Sequence, residues 1–456
     1  MPTPTASVIL VAHGSARSGA SAEPVLALAR ALREMGWPEV RTAFWKEEPF
    51  LHQALDGVRG GSVLILPAFL ATGYFSGTVV PRELGVRAGL QNVDGRPVAL
   101  LPPLATDPRL ARLVAARASA AAPDDVPLAE CLVVVLGHGT PLDAGSAGSV
   151  VGAAALLERR GESARAEAAF IDDDPKLDAV LAGAPEPVAI VVPFLMAEGF
   201  HGAAVADGGE AWSPSMRVVY TEPIGTHPEM VEVVTSFLEA APPSPPSGPE
   251  GPVARAEPAL AAVLAAQGAV AFLQVSVARG ADGYELVRAG EEGADPRTLT
   301  AIPDPDGLER LARRTAEGAH RPLRTAADLP GGWRYRADDA RALAEALVAL
   351  YGPALAHWEM GRAGGLPVVG FRERAAAQTG MYARLAGAAP AAVEEGIRGI
   401  CDGLPCLRTR LWSLEGPRTG VSLGPMDVPC PTPCPILLTA VLETGAREVD
   451  DPGVSP

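Results

Sequence analysis

The chain has 456 residues, of which 48% are hydrophobic and 20% charged, and its formal net charge is −16. This length allows two to four domains with packed cores, and the composition excludes wholesale disorder. The acidic balance argues against a protein that coats DNA or RNA by neutralising phosphates. No apolar run approaches the roughly 18–20 residues that span a bilayer.

The amino terminus lacks the features of a secretory signal peptide. Residues 1–15 contain no basic region, and the apolar stretch Val8–Ala12 ends directly in a His-Gly-Ser sequence. We therefore expect a cytoplasmic protein without a membrane partner. Four of the five cysteines fall in the last 56 residues, which in a reducing compartment favours metal ligation over disulfides.

The first half of the sequence contains an internal repeat. Four blocks recur in the same order at offsets of 120 to 126 residues. The paired blocks are 8–15 with 133–140, 43–49 with 169–175, 69–77 with 194–202, and 103–108 with 223–228. Residues 1–121 and 127–240 are therefore predicted to be two copies of one fold.

Each copy alternates β-branched runs with amphipathic helical stretches. In the first copy the predicted strands lie near Val8–Ala12, Val40–Phe44, Val63–Pro67 and Val98–Leu101. The predicted helices lie near Ala22–Met35, Phe50–Val58, Pro81–Ala88 and Pro108–Arg117. This alternation predicts an α/β fold with a small parallel sheet and right-handed crossovers. No Gly-x-Gly-x-x-Gly follows a strand, so a dinucleotide-binding domain is not indicated.

The second half has a different organisation. Six prolines within residues 242–252 predict a semi-rigid linker. The predicted elements beyond it are a helix at Ala259–Gln267, a hairpin of Val270–Ala278 and Gly283–Arg288, and helices at Leu308–Glu317 and Ala340–Tyr351. The predicted domains are two α/β repeats (1–121 and 127–240), a linker (241–253), an α+β connecting domain (254–339) and a cysteine-rich cluster-binding domain (340–456).

Histidines follow strands in both copies. His13 and His138 each stand directly after a buried parallel strand, and His201 lies in the loop after the third strand of the second copy. The carboxyl ends of parallel strands meet at the edge of the sheet where ligands bind. Two neutral imidazoles at that edge suit a divalent first-row metal. The alternative for each histidine is a hydrogen bond within its own loop.

Acidic residues are predicted at the same edge. Glu47 and Glu48 follow the second strand of the first copy, Asp172–Asp174 hold the equivalent place in the second, and Glu198 precedes His201 by three residues. A carboxylate beside a metal can accept protons from a substrate. The alternative is a solvated acidic loop.

These blocks together resemble one known family. The His-Gly-Ser/Thr elements, the third-strand loop ending in Phe-His-Gly and the closing Pro-Leu/Ile-x-Thr-x-Pro block are similar to sirohydrochlorin cobaltochelatases of the CbiX type, in their long two-copy form. The resemblance covers about residues 1–240. It implies the class II chelatase architecture, in which two α/β halves enclose a cleft where a divalent metal, Co²⁺ or Fe²⁺, enters a tetrapyrrole substrate.

The resemblance also implies roles for particular histidines. In this family one histidine after strand one and one after strand three hold the metal and assist removal of pyrrole protons, and His138 and His201 match both positions. His13 matches the first position in the first copy, but Ser76 occupies the second, and a hydroxyl is a poor ligand for these metals. We therefore predict that the second copy carries the metal site. His13 is then either a contributor from across the cleft or a remnant of the duplication.

Four cysteines near the carboxyl end form two close pairs. Cys401 and Cys406 are followed, after a gap of 23 residues, by Cys430 and Cys434. Such thiolates suit a [4Fe–4S] cluster or a tetrahedral Zn²⁺; the wide spacing and a proline after a ligand favour iron–sulfur. Unligated thiols are the third possibility. The region also resembles the extension of some long CbiX-like proteins, where an iron–sulfur domain is expected. Cys131 stands alone and is predicted to be a core residue.

Three functional hypotheses follow from these features. The first, which the resemblance implies, is a lyase that inserts Co²⁺ or Fe²⁺ into a sirohydrochlorin-like tetrapyrrole in cobalamin or siroheme biosynthesis, with an attached [4Fe–4S] domain. The second is a non-catalytic metal or tetrapyrrole carrier, or a redox sensor, on the same scaffold; the two histidines kept in the second copy favour the enzyme. A histidine phosphatase is disfavoured because it needs an arginine directly before the histidine, where Ala12 and Gly137 stand.

Overall fold

The computed structural model describes residues 6–140, 145–197, 216–241, 248–402 and 406–450. The chain divides into two compact units. The first comprises Met1–His13, Ala20–Thr42 and Gly61–Gly248, and the second comprises Gly14–Gly19, Ala43–Gly60 and Pro249–Pro456. Two segments of the first repeat therefore fold with the carboxyl-terminal half. No described helix is long and apolar enough to cross a membrane.

Two sheets form the core of the first unit. In the first repeat the strands are β1 (Ser7–Ala12), β2 (Val40–Phe44), β3 (Val63–Pro67), β4 (Gly89–Val93) and β5 (Arg96–Leu100), in the order β2-β1-β3-β5-β4. In the second they are β6 (Cys131–Gly137), β7 (Arg165–Phe170), β8 (Val188–Pro193) and β9 (Arg217–Tyr220), in the order β7-β6-β8-β9. β1 pairs in parallel with β3, as β6 does with β8, and β4 adds an antiparallel edge. The predicted parallel α/β sheets are confirmed.

Helices connect these strands. They are α1 (Glu23–Glu34), α2 (Val80–Leu84) and α3 (Leu110–Ala121) in the first repeat, and α4 (Gly145–Arg160), α5 (Leu177–Ala182) and α6 (Met230–Glu239) in the second. α1 has a proline in its first turn and buries one apolar face that includes Val25, Leu28 and Leu32. α2 is shorter than predicted because Gly85, at φ +66°, ends it in the left-handed conformation.

The two repeats contact each other reciprocally within the first unit. α3 packs against α4, and α6, the equivalent of α3 in the second repeat, packs against α1, the equivalent of α4. Arg117 of α3 donates a hydrogen bond from Nη2 to Thr226 Oγ1 at 2.8 Å. In the other contact Thr235 Oγ1 of α6 lies 3.7 Å from Met35 Sδ. Such reciprocal contacts are those expected of a pseudo-two-fold arrangement of the duplicated halves.

A mixed sheet forms the first part of the second unit. Its strands are β10 (Ala269–Phe272), β11 (Val275–Gly280), β12 (Gly283–Arg288), β13 (Thr300–Ala301) and β14 (Trp333–Ala337), in the order β10-β11-β12-β14-β13. All neighbours are antiparallel except β13 and β14. The predicted strand Val270–Ala278 is divided into β10 and β11 because Leu273 adopts φ +52°, which an extended strand excludes.

Four helices accompany this sheet: α7 (Pro252–Gln267), α8 (Pro305–Ala312), α9 (Ala340–Tyr351) and α10 (Ala354–Ala363). α9 has the predicted bounds because the Asp339 carboxylate accepts a hydrogen bond from Ala342 N at 2.7 Å and Gly352 follows its last residue. Leu347 of α9 and Trp358 of α10 lie in the same core as Phe272 of the sheet. The helix predicted to begin the cysteine-rich domain therefore packs with the preceding sheet.

The last part of the second unit has its own core. Its helices are α11 (Phe371–Ala376), α12 (Pro390–Ile397) and α13 (Pro435–Asp450), and its short parallel strands are β15 (Thr409–Arg410) and β16 (Pro429–Cys430). A one-turn π-helix, Arg398–Asp402, follows α12. The core contains Phe371, Leu385, Val393, Trp412 and Leu437. Cys401, Cys430 and Cys434 pack against it.

Candidate metal sites

The His-Gly motifs have the same backbone conformation after β1 and β6. Gly14 and Gly139 adopt φ +63° and +71°. A Cβ on Gly139 would lie 2.7 Å from Asp173 Cβ and 2.9 Å from Phe170 Cβ. Only glycine satisfies both the dihedral angle and this close approach. The motif thereby holds His138 at the carboxyl end of β6, directly against the loop that follows β7.

That loop fixes the orientation of the His138 ring. Asp172 N donates a hydrogen bond to His138 O at 2.8 Å, and His138 Nδ1 lies 3.2 Å from both Gly139 O and Asp172 Oδ2. Because a carbonyl oxygen only accepts, the contact with Gly139 O is a hydrogen bond donated by Nδ1. The His138 side chain is 56% exposed. A carboxylate on the other nitrogen makes an imidazole a better ligand.

The remaining predicted members of this site, His201 and Glu198, lie outside the described residues. The structure therefore describes His138 with its partner Asp172, and the convergence of His138 with His201 stays a prediction. Asp172 was predicted to lie at this edge, but its pairing with His138 was not predicted. The prediction rested on the acidic residues that follow the second strand in both copies.

The first repeat lacks an equivalent second ligand. His13 is exposed at the end of β1, with its ring centroid 5.1 Å from that of Phe75. Ser76 is buried, and its hydroxyl is held by its own loop: Gly73 N lies 3.2 Å from Ser76 Oγ, and Gly73 O lies 3.3 Å from it. That the metal site belongs to the second copy stays a prediction.

The third-strand loop of the first repeat contacts the second repeat. Thr72, in the loop after β3, donates a hydrogen bond from Oγ1 to Gly145 O at 2.9 Å. Gly145 is the first residue of α4. The loop after β3 therefore reaches the amino-terminal end of α4, and the shared cleft between the repeats stays a prediction.

Glu47 and Glu48 do not form the open acidic edge expected for the first copy. Both are buried within the second unit. Arg313 Nη2 donates to Glu47 Oε2 at 3.0 Å, whereas Glu48 accepts from Thr325 N at 2.9 Å and lies 3.4 Å from Arg408 Nη2. Buried carboxylates with such partners have a structural role, because removing either partner leaves an uncompensated buried charge. They are not available as proton acceptors for a substrate.

The four carboxyl-terminal cysteines all belong to the second unit. Burial, and then neighbouring thiols, raise the pKa of Cys401 to about 12 and that of Cys406 to about 11. Burial also raises the pKa of Cys434 well above its usual value, with added contributions from the other three thiols. Each thiol is therefore within electrostatic reach of the others.

Their surroundings fit an iron–sulfur cluster. Trp412 Nε1 donates a hydrogen bond to Cys430 Sγ at 3.4 Å, and Thr325 Oγ1 lies 3.8 Å from Cys406 Sγ. Four sulfur donors in a largely apolar environment, with hydrogen bonds to individual sulfurs, are the features that hold and tune such clusters. In the part of the chain that the structure describes, no three His, Cys, Asp or Glu side chains are grouped for a single metal ion.

Comparison with protein families assigns these regions. The CbiX family model matches residues 7–121 and 132–241, which are the two repeats. The amino-terminal half of the chain therefore contains two CbiX domains. The model of the DR2241 stabilising domain matches residues 259–362, and that of a 4Fe-4S iron-sulfur cluster binding domain matches residues 363–443. The two CbiX domains are thus followed by an iron–sulfur domain, as the sequence predicted.

Individual proteins resemble the chain in part or throughout. A Halobacterium salinarum protein named "Probable sirohydrochlorin cobaltochelatase" is 28% identical over 270 residues, which are 50% of this chain and 88% of that protein. DR2241 from Deinococcus radiodurans, described as a multi-domain protein with structural similarity to chelatases and two additional domains, is 28% identical. It covers 97% of this chain and 100% of its own, with a TM-score of 0.83. The likeness therefore extends through the CbiX domains and both domains that follow them.

A second solved structure resembles part of the chain. It is CbiX, described as the terminal enzyme for biosynthesis of siroheme in denitrifying bacteria. Its sequence is 27% identical, over 52% of this chain and 99% of that one, with a TM-score of 0.42.

A half-buried histidine outside every motif lies in the part of the first CbiX repeat that folds with the second unit. His52, in the 3₁₀ helix Leu51–Gly57, stacks on Phe50 with ring centroids 5.7 Å apart. Neither of its ring nitrogens has a hydrogen-bond partner among the described residues. Burial, and then nearby positive groups such as Arg374 and Arg408, lower the pKa of His52 well below 6.5. The environment of His52 in the folded protein therefore favours the neutral ring.

We expect His52 to make the protein less stable in acid. The unfolded chain binds a proton at this residue below about pH 6.5 and the folded chain does not, so the free energy of unfolding decreases as the pH falls. Between about pH 6 and pH 5 the free energy of unfolding of the wild type should therefore decrease more steeply than that of His52→Phe, which has no titrating group at this position. Denaturant unfolding of both proteins at these pH values measures the difference. Identical pH dependence would contradict the prediction.

Proposed function

We propose that the chain is a chelatase that inserts Co²⁺ or Fe²⁺ into a sirohydrochlorin-like tetrapyrrole. The observation that carries this proposal is the orientation of His138 at the end of β6. His138 Nδ1 lies 3.2 Å from both Gly139 O and Asp172 Oδ2, and the side chain is 56% exposed at the end of β6, so we infer that Nε2 is the atom that binds the metal. The activity named for the Halobacterium relative supports sirohydrochlorin as the substrate class.

The proposed reaction exchanges two protons of the macrocycle for one metal ion. One divalent metal enters the macrocycle as two pyrrole N–H protons leave it, so the site must release a metal and accept protons. We propose that His138 Nε2 and His201 hold the incoming metal, because imidazoles bind such ions and can also let them go. Glu198 and the histidines take up the leaving protons. Asp172 holds the His138 ring in the orientation that both tasks need.

We further propose that Cys401, Cys406, Cys430 and Cys434 hold the [4Fe–4S] cluster of the carboxyl-terminal domain. When bound, such a cluster supplies a one-electron redox centre or a rigid cross-link between its ligands. Trp412 donates its N–H to Cys430 Sγ, and Cys401, Cys430 and Cys434 pack against the surrounding apolar core. These assignments fit a protein of the cytoplasm, where thiols stay reduced.

The proposal is tested by assaying the anaerobically purified protein. Its visible spectrum and metal content are recorded first, and Co²⁺ and Fe²⁺ are then supplied separately with sirohydrochlorin. We expect insertion of at least one metal faster than the protein-free reaction. Stoichiometric binding of metal and tetrapyrrole without turnover would instead support a carrier.

A further inference from the structure

A cavity in the iron–sulfur domain is lined by an unusual concentration of positive charge. Its volume is about 340 Å³, and it lies between α12 with the following π-helix on one side and the chain around β15 on the other. Three arginines line it: Arg398, Arg410 and Arg418. Glu394 and Ser413 complete the polar wall, and the rest of the lining is apolar.

These arginines do not pair with carboxylates. Arg410 donates to Trp412 O at 3.3 Å and lies over the Trp412 ring, 5.0 Å from its centroid. Arg418 donates to Arg410 O at 3.2 Å. Within the residues that the structure describes, none of the three forms an ion pair. The chain has more acidic than basic residues, 54 against 38, and other arginines do pair with a carboxylate. Arg313, for example, forms an ion pair with Glu47.

The side chains that line the cavity indicate the class of ligand that it can bind. A guanidinium presents paired N–H donors that match the oxygens of phosphate and carboxylate groups. Three guanidinium groups and one glutamate give the lining of the cavity a net charge of about +2. This charge favours a ligand with more than one negative group. The volume is at the lower end of the range of small-molecule sites, and the apolar floor suits a short carbon skeleton.

We propose that this cavity binds a small polyanion bearing at least two phosphate or carboxylate groups. Nothing in this inference depends on the chelatase reaction. The cavity adjoins two of the proposed cluster ligands: Cys401 shares the π-helix with Arg398, and Cys430 pairs with Arg410 between β15 and β16. The binding measurement therefore uses the full chain with its cluster intact.

Isothermal titration calorimetry with two probes tests the proposal. Inorganic pyrophosphate represents phosphate ligands and citrate represents carboxylate ligands, and both are titrated under anaerobic conditions at about 0.15 M salt, where weak surface attraction is screened. We expect saturable binding of one equivalent of at least one probe. Competition between the probes then shows which anionic group the cavity prefers.

Variants locate the binding to the cavity. Arg398→Gln with Arg418→Gln should weaken binding about 100-fold, about tenfold for each lost charge-assisted hydrogen bond. Arg418→Gln alone, in an exposed loop, should weaken it about tenfold and serves if the double variant fails to fold. Arg341→Gln, on the exposed surface of α9, is the matched control and should bind as the wild type does. Failure of both probes to saturate, or equal weakening by Arg341→Gln, would overturn the proposal.

Discussion

Replacement of His138 by alanine should abolish metal insertion. This residue is a proposed metal ligand, and its Nδ1 lies 3.2 Å from both Gly139 O and Asp172 Oδ2. Loss of a metal ligand that also assists proton removal should lower the rate at least about 100-fold. The rate of Co²⁺ or Fe²⁺ insertion into sirohydrochlorin measures this loss. His201→Ala should have the same effect, because His201 is the second proposed ligand.

His13→Ala is the matched control for this experiment. It removes the histidine at the same motif position in the other repeat, where Ser76 stands in place of the second ligand and its hydroxyl is held by its own loop. A measurable rate should therefore remain. An inactive His13→Ala together with an active His201→Ala would reverse the assignment of the two repeats.

The variant Asp172→Asn tests, in the same assay, the orientation of the His138 ring separately from metal binding by that ring. The amide keeps the size of the carboxylate but removes its charge, so the His138 ring should still bind metal as a weaker ligand. We expect a reduction of about 10- to 100-fold, which is typical when a partner of a metal-binding histidine is lost. The absorption spectrum of bound Co²⁺ checks that metal binding persists.

Much of the architecture follows from local sequence signals. The repeated His-Gly blocks and the β-branched runs identify the strands, because a parallel strand buried on both faces is a continuous apolar run. β1 and β6 are indeed buried along their whole lengths. The bounds of α9 were predictable because Asp339 and Gly352 mark its two ends.

Other elements have no such signal. β4 has the sequence GLQNV and is largely exposed, so neither an apolar run nor a regular alternation marks it. The burial of Glu47 depends on Arg313, which is 266 residues away in sequence. An acidic loop looks the same in sequence whether it is solvated or paired with a distant arginine. The role of this loop is therefore settled by tertiary contacts alone.

The carboxyl-terminal cysteines show how a spacing pattern and tertiary structure combine. The two pairs are 23 residues apart along the chain, and the pairing of β15 with β16 brings the second pair back towards the first. The sequence predicts four ligands without giving their surroundings. The hydrogen bond from Trp412 to Cys430 and the proximity of Thr325 to Cys406 come only from the fold.

Replacing any one of these four cysteines by serine should remove the iron–sulfur cluster. Anaerobically purified wild-type protein should contain about four iron and about four sulfide ions per chain, with the visible absorption of thiolate-bound iron. Serine keeps the size of the side chain but replaces the soft sulfur donor that iron–sulfur clusters require. Most of the iron and sulfide should therefore be absent from each of the variants Cys401→Ser, Cys406→Ser, Cys430→Ser and Cys434→Ser.

Cys131→Ser distinguishes cluster ligation from a general effect of losing a thiol. Cys131 belongs to the other unit of the chain, where it is fully buried in β6 with its Sγ 3.4 Å from Pro127 O. This variant should keep the full iron and sulfide content, although a hydroxyl in this apolar core will lower the stability of the first unit. A colourless wild-type protein with one zinc ion per chain would reject the cluster, because the same four thiolates would then hold a single tetrahedral ion. Loss of iron in Cys131→Ser alone would show that the ligands had been assigned to the wrong end of the chain.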